Sequence, residues 1–204
     1  DVPETDYQTV LTRAAFKTWL ERLQQAELFG FDTETTSLDY MAARIVGVSF
    51  SVEAGSAAYV PLAHDYSGAP EQLDRDSVLE KLRPILESED YKKIGHHIKY
   101  DRNVLANHGI ILSGIEFDSM LESYVLDSVA TRHDMDSVAQ KYLGRETIHY
   151  EDVAGKGAKQ ITFDQVALDQ AAPYAAEDAD VALRLHEALW PQIEAVAPLR
   201  KVLT

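Results

Sequence analysis

The feature that most restricts this chain is an apolar run that ends abruptly in acid: Leu28-Phe29-Gly30-Phe31, then Asp32-Thr33-Glu34. The apolar part reads as the start of a buried strand. Side chains at i and i+2 of a strand point to one face, so Asp32 and Glu34 stand side by side at its end. Folding alone does not favour that. Two like charges about 4 Å apart repel by roughly 4 kcal/mol at an effective dielectric near 20. A cation or a shared proton relieves the repulsion. On these residues alone, an acidic turn after a strand is the alternative. The choice depends on whether the chain supplies matching carboxylates.

The surrounding pattern predicts a mixed sheet. Residues 7–27 read as a strand fragment and a helix, with Phe16, Trp19, Leu20 and Leu23 on one face and Thr12 as N-cap. Strands over 44–52 and 57–62 are joined by Glu53-Ala54-Gly55-Ser56, a turn of hairpin length. With the first strand they make a three-stranded antiparallel meander. A helix follows through Val78–Leu86, with a kink or stop expected at Pro84. A short strand is expected at Lys92–Gly95, a helix over 97–109 and a strand from Ile110 to Phe117. Helices over 119–129 and 136–143 come next. The polar stretch 145–160 reads as a mobile loop and 162–170 as a short helix. The last long helix is expected over 173–195, with Pro173 in its first turn. The element order predicts an α/β fold: one five-stranded mixed sheet with helices packed on it. No repeat or linker divides the 204 residues, so 1–204 reads as a single domain.

Composition narrows the chemistry. There is no cysteine, which removes disulfides, thiolate metal sites and thiol nucleophiles and suits a cytoplasmic protein. No run of about 18 apolar residues suggests a membrane helix. The net charge of −15 argues against a simple basic nucleic-acid surface. An acidic cluster loaded with divalent metal reaches phosphates by another route. The chain does not begin with Met, which suggests a piece of something longer.

Further acids stand at useful spacings. In Tyr174-Ala175-Ala176-Glu177-Asp178, Tyr174 and Asp178 are four apart and share a helix face. Small neighbours there allow close backbone approach. An acidic first turn favoured by the helix dipole does not explain the tyrosine. Asp101, on the predicted helix 97–109, matters only in combination with these.

Three stretches together are informative: Phe31-Asp32-Thr33-Glu34-Thr35, His97-Ile98-Lys99-Tyr100-Asp101 and Tyr174 to Asp178. In order and spacing they resemble the three exonuclease motifs of the DEDD family, in its tyrosine-bearing branch. The resemblance runs nearly end to end, through Ala63-His64-Asp65-Tyr66, the stretch Phe117 to Tyr124, Arg132 to Ser137 and Ala154-Gly155-Lys156-Gly157. Within the family it is to the proofreading domains of bacterial DNA polymerases.

The resemblance implies a ribonuclease H-like fold and 3′–5′ removal of nucleotides from a DNA end by two-metal hydrolysis. It implies two divalent ions, Mg²⁺ or Mn²⁺, which suits an all-oxygen ligand set. Asp32, Glu34 and Asp178 would hold the first ion, with Asp32 bridging to a second held by Asp101. Tyr174 would stay protonated and orient the attacking water. By the same resemblance Leu38 is a wedge at the terminal base, Tyr150 stacks on the last base, Arg132 meets a phosphate and Thr35 donates to the terminal nucleotide. His96 and His97 stand where the family carries Gln and Asn. A nucleotide contact from His97 would then be pH-sensitive, since histidine titrates near 6.5. The implied partners are a DNA 3′ end, preferably single-stranded, and the polymerase domain of the same parent chain, with the domain itself a monomer. A ribonuclease D-like exoribonuclease and a non-catalytic spacer domain remain the competing readings.

Overall fold

In the computed structural model, residues 5–203 are described. Their elements, in chain order, are β1 (Asp6–Thr9), α1 (Arg13–Gln25), β2 (Leu28–Thr35), β3 (Ile45–Glu53), β4 (Ser56–Pro61), α2 (Arg75–Leu86) and β5 (Lys92–Gly95). Then come α3 (Ile98–Asn107), β6 (Ile115–Asp118), α4 (Ser119–Leu126), α5 (Met135–Leu143), α6 (Tyr150–Ala154), α7 (Leu168–Glu194) and α8 (Ala197–Leu203).

The described strands form one mixed sheet in the order β1-β4-β3-β2-β5-β6. The meander β2-β3-β4 is antiparallel, as the hairpin turn predicts. β5 lies parallel to β2, and β6 parallel to β5. The sheet has six strands rather than five, because β1 pairs parallel with β4 from Asp6↔Ser56 to Thr9↔Tyr59. That short polar strand carries no alternation to mark it, and the open edge of β4 stabilises it.

Alternation along β2 sets up three layers. Phe29 and Phe31 point into a core shared with Phe16, Trp19 and Leu23 of α1, Leu82 and Ile85 of α2, and Val104 and Leu105 of α3. The opposite face of the sheet is covered by α7, which packs across β3, β4 and β2. Gly30 lies on that second face, and a Cβ there would come to 2.4 Å from the Ala179 carbonyl oxygen. Asp32 and Glu34 continue the same face.

Several boundaries differ from expectation for physical reasons. α2 runs through Pro84 and ends at Leu86, so the proline falls in its last turn. α7 starts at Leu168, leaving Pro173 inside it. The missing amide bond is outweighed by burial of Leu168, Ala171, Ala172 and Ala175. The strand expected from Ile110 begins only at Ile115, because Gly114 turns the chain at φ 66°. α4 ends at Leu126. The expected loop 145–160 contains α6 and a 3-10 turn at Gly157–Lys159, and 162–170 divides between a 3-10 turn at Phe163–Gln165 and the start of α7. No helix among the described residues is long and apolar enough to cross a membrane.

Candidate metal centre

β2 delivers Asp32 and Glu34 to the α7 side, and α7 meets them with Asp178. One carboxylate oxygen from each lies within 4.8 Å of the others. Asp101 comes from the opposite layer. It projects from the first turn of α3 and accepts bonds from the Thr33 amide (2.9 Å) and the Thr33 hydroxyl (2.5 Å). Thr33 faces α3 because it alternates with Asp32 and Glu34. A bulge at the end of the β2–β3 ladder, between the pairs Glu34↔Gly47 and Thr35↔Ile45, then bends the chain. The residues after β2 turn over the carboxylates.

The electrostatics are those of an uncompensated acid cluster. Burial, and then the charges of Asp101, Glu34 and Asp178, raise the Asp32 carboxyl well above the ordinary range. Burial raises Glu34 as well, reinforced by Asp178 and Asp101. Asp178 is raised by burial first and by Glu177 next. Asp101 is pushed up to about 7 by burial, against the lowering effect of its two Thr33 bonds. Oε1 of Glu34 is buried without a hydrogen-bond partner. A buried carboxylate oxygen left unpaired is costly, and a hard divalent cation among these oxygens would satisfy it. The residues present therefore fit a divalent metal site.

Tyr174, one turn before Asp178 on α7, directs its hydroxyl at that carboxylate. Burial and the surrounding acids raise its pKa well above the ordinary phenol value, so it is protonated at neutral pH. Its ring packs on Phe163 (5.8 Å) and Tyr150 (6.0 Å). Beneath them Tyr59 is fully buried, with its ring over Gly47 and its hydroxyl 2.7 Å from His64 Nε2.

A cleft of about 580 Å³ opens over the cluster. It is lined by Asp32, Glu34, Thr35, Leu38, Tyr150, Tyr174 and Asp178, together with Tyr100 and the 160–162 segment. Leu38 is 96% exposed at its rim. Thr35 is tied internally, its hydroxyl 2.5 Å from Tyr100 Oη and 3.0 Å from the Ser37 carbonyl. Arg132 lies outside this cleft. It lines an adjoining depression of about 870 Å³ that shares Tyr150, and it pairs with Asp134 at 3.3 Å. His97 lines neither, and serves as the N-cap position of α3 in a left-handed conformation. Sequence reasoning passed over Tyr100 as a cleft residue, although it sits beside Asp101.

The fold and its acid cluster match known proteins. A family model described as 3′–5′ exonuclease covers residues 7–194, and the chain belongs to that family of nuclease hydrolases. It is 64% identical over 203 residues to DNA polymerase I of Pseudomonas aeruginosa, a match covering 98% of the chain and 22% of that protein. It is 40% identical to DNA polymerase I of Rhizobium leguminosarum, over 93% of the chain and 20% of that protein. The chain thus spans about a fifth of the length of these curated relatives.

Among solved structures, Trypanosoma brucei RNase D in complex with RNA U12 superposes with a TM-score of 0.72 at 19% identity, over 91% of this chain and 62% of that one. Brucella melitensis NrnC with bound Mg²⁺ gives 0.66 at 18% identity, over 98% and 88%. The M. smegmatis Pol1 complex with DNA primer-template and dNTP gives 0.70 at 19% identity, over 94% and 28%. At these identities the likeness is one of fold, which is ribonuclease H-like.

Proposed function

We propose that this chain is the proofreading part of a DNA polymerase I. In this reading it removes nucleotides one at a time from single-stranded or frayed DNA 3′ ends. Asp32, Glu34 and Asp178 would hold one divalent ion, and Asp32 and Asp101 would hold a second. The ions are Mg²⁺ or Mn²⁺. When bound, such a pair lowers the pKa of water and stabilises the leaving oxygen of an in-line displacement. Tyr174, kept protonated, orients the attacking water, and Glu34 shares it. Water adds to phosphorus, the bond to the 3′ oxygen breaks, and a mononucleotide leaves behind a new 3′ hydroxyl. The observation that carries this reading is the buried, unpartnered Glu34 oxygen within a three-carboxylate cluster.

The cleft supports a preference for single strands. Leu38 stands exposed at the rim and Tyr150 lines the interior. A separated terminal base wedges and stacks there, whereas a paired end must first fray. Thr35 positions the loop beneath that base, Arg132 meets a phosphate further along, and His97 stands close to the second metal's helix. Residues 1–204 act as one domain, a monomer beside the polymerase domain of the parent chain, in the cytoplasm.

A ribonucleolytic reading is the alternative, since RNase D shares this fold. Turnover of matched DNA and RNA oligonucleotides decides between them. Faster DNA shortening supports the proposal, and a clear RNA preference overturns it.

A further inference from the structure

The Asp118 carboxylate accepts backbone amides from the starts of two helices. Its Oδ1 takes His97 N (3.0 Å), Met120 N (3.0 Å) and Leu121 N (3.4 Å), and its Oδ2 takes Ile98 N (3.0 Å). It is 8% exposed. The Met120 and Leu121 bonds are an ordinary N-cap of α4. The other two are not part of that cap. They arrive from the start of α3, because β5 and β6 lie side by side in parallel with Gly95 opposite Asp118. Each strand runs into its helix at the same level.

α3 needs an outside partner. His97 makes no side-chain cap. Its backbone is left-handed at φ 63°, a conformation that residues with side chains rarely adopt and keep only when their surroundings impose it. Asp118 binds the amide of this residue and the next. The start of α3 is therefore fixed by a carboxylate on another strand. Asp101 lies one turn in, the sole member of the four acids to reach the centre from the α3 layer. It is absent from the tight cluster of Asp32, Glu34 and Asp178.

We propose that Asp118 is a positioning residue: by fixing the start of α3 it sets Asp101 against the other three carboxylates and so governs the weaker of two metal-binding events. The inference rests on the two-ion reading above. Asp32 and Glu34 are carried by β2 and Asp178 by α7, so the stronger event is expected to change little when Asp118 is altered.

The test is a Mn²⁺ titration of the whole chain by calorimetry, without nucleic acid, alongside thermal denaturation. Asp118→Ser keeps a cap for α4 but cannot span both helices. Weaker-class affinity is expected to fall roughly 10-fold or more while the tighter class stays within about twofold, the scale of outer-shell effects on metals. Asp101→Asn should give the same loss, and the double variant no further loss. Both affinities unchanged in a folded Asp118→Ser protein overturn the role. If Asp118→Ser does not fold, Asp118→Asn is measured by the same criterion. Loss of fold in both assigns Asp118 to general stability and also overturns it. A wild-type chain that binds no Mn²⁺ overturns the metal reading itself, a separate outcome.

Discussion

Gly30 of β2 and Ala179 of α7 touch backbone to backbone: a Cβ on Gly30 would meet the Ala179 carbonyl oxygen at 2.4 Å and its carbonyl carbon at 3.3 Å. The contact lies two residues from Asp32 and one from Asp178, so it fixes the spacing between the strand-borne and helix-borne acids. Gly30→Ala must push α7 outward. Overpacking of this kind costs about 1–3 kcal/mol. A displacement near 1 Å costs roughly 100-fold in rate. Urea denaturation and initial rates should show both losses. Full activity in a destabilised Gly30→Ala protein would separate this contact from the site.

Removing one acid should cost activity without costing stability. Asp178→Ala takes away a carboxyl group whose pKa is raised well above the ordinary value by burial first and by Glu177 next. Rates of nucleotide release should fall by orders of magnitude. The metal-free melting temperature should stay equal or rise, because repulsion is relieved. A large metal-free loss of stability would give Asp178 a structural role instead.

Metal-free stability should also depend on pH with a definite sign. Asp101 has a folded-state pKa raised to about 7 from 3.8. Between those values the fold holds the extra proton, so stability falls as pH rises. The contribution is full below 3.8 and lost as pH passes 7. Asp101→Asn removes this loss and keeps an oxygen for Thr33. In EDTA, the variant should therefore gain on wild type between pH 4 and 7, by about a few kcal/mol. Saturating Mg²⁺ should shrink the difference. A variant that loses ground as pH rises contradicts the burial of this carboxyl.

Tyr174→Phe isolates the hydroxyl from the ring. The edge-on and tilted ring packing against Tyr150 and Phe163 survives, so the melting temperature should hold. The rate at saturating substrate should fall roughly 100-fold, as expected for lost positioning of a reacting group. A rate loss matched by an equal loss of melting temperature would show that the hydroxyl serves the fold.

Local spacing made part of this site legible. The i, i+2 relation of Asp32 and Glu34 and the i, i+4 relation of Tyr174 and Asp178 decide their faces without tertiary knowledge. Asp101 was different: its helix could be read, but its place opposite Thr33 depends on which sheet face α3 covers. The reach of Asp118 to the start of α3 and the place of Tyr59 beneath Tyr174 have no local signal. Asp118 accepts amides 21 and 20 residues earlier in the chain, and the Tyr59 ring packs over Gly47. β1 leaves only a fragmentary sequence signal, because a four-residue polar strand is stabilised by the strand it joins. Tertiary burial likewise carried α7 through Pro173 against local preference.

The proposed reaction is metal-dependent removal of nucleotides from a DNA 3′ end. It is tested most directly by following a 5′-labelled single-stranded DNA oligonucleotide incubated with the purified chain. With Mg²⁺ the label should shorten one nucleotide at a time, more slowly on a paired blunt end, and not at all in EDTA or with Asp32→Ala. Shortening in EDTA, internal cleavage, or equal rates on paired and single-stranded ends would contradict the account.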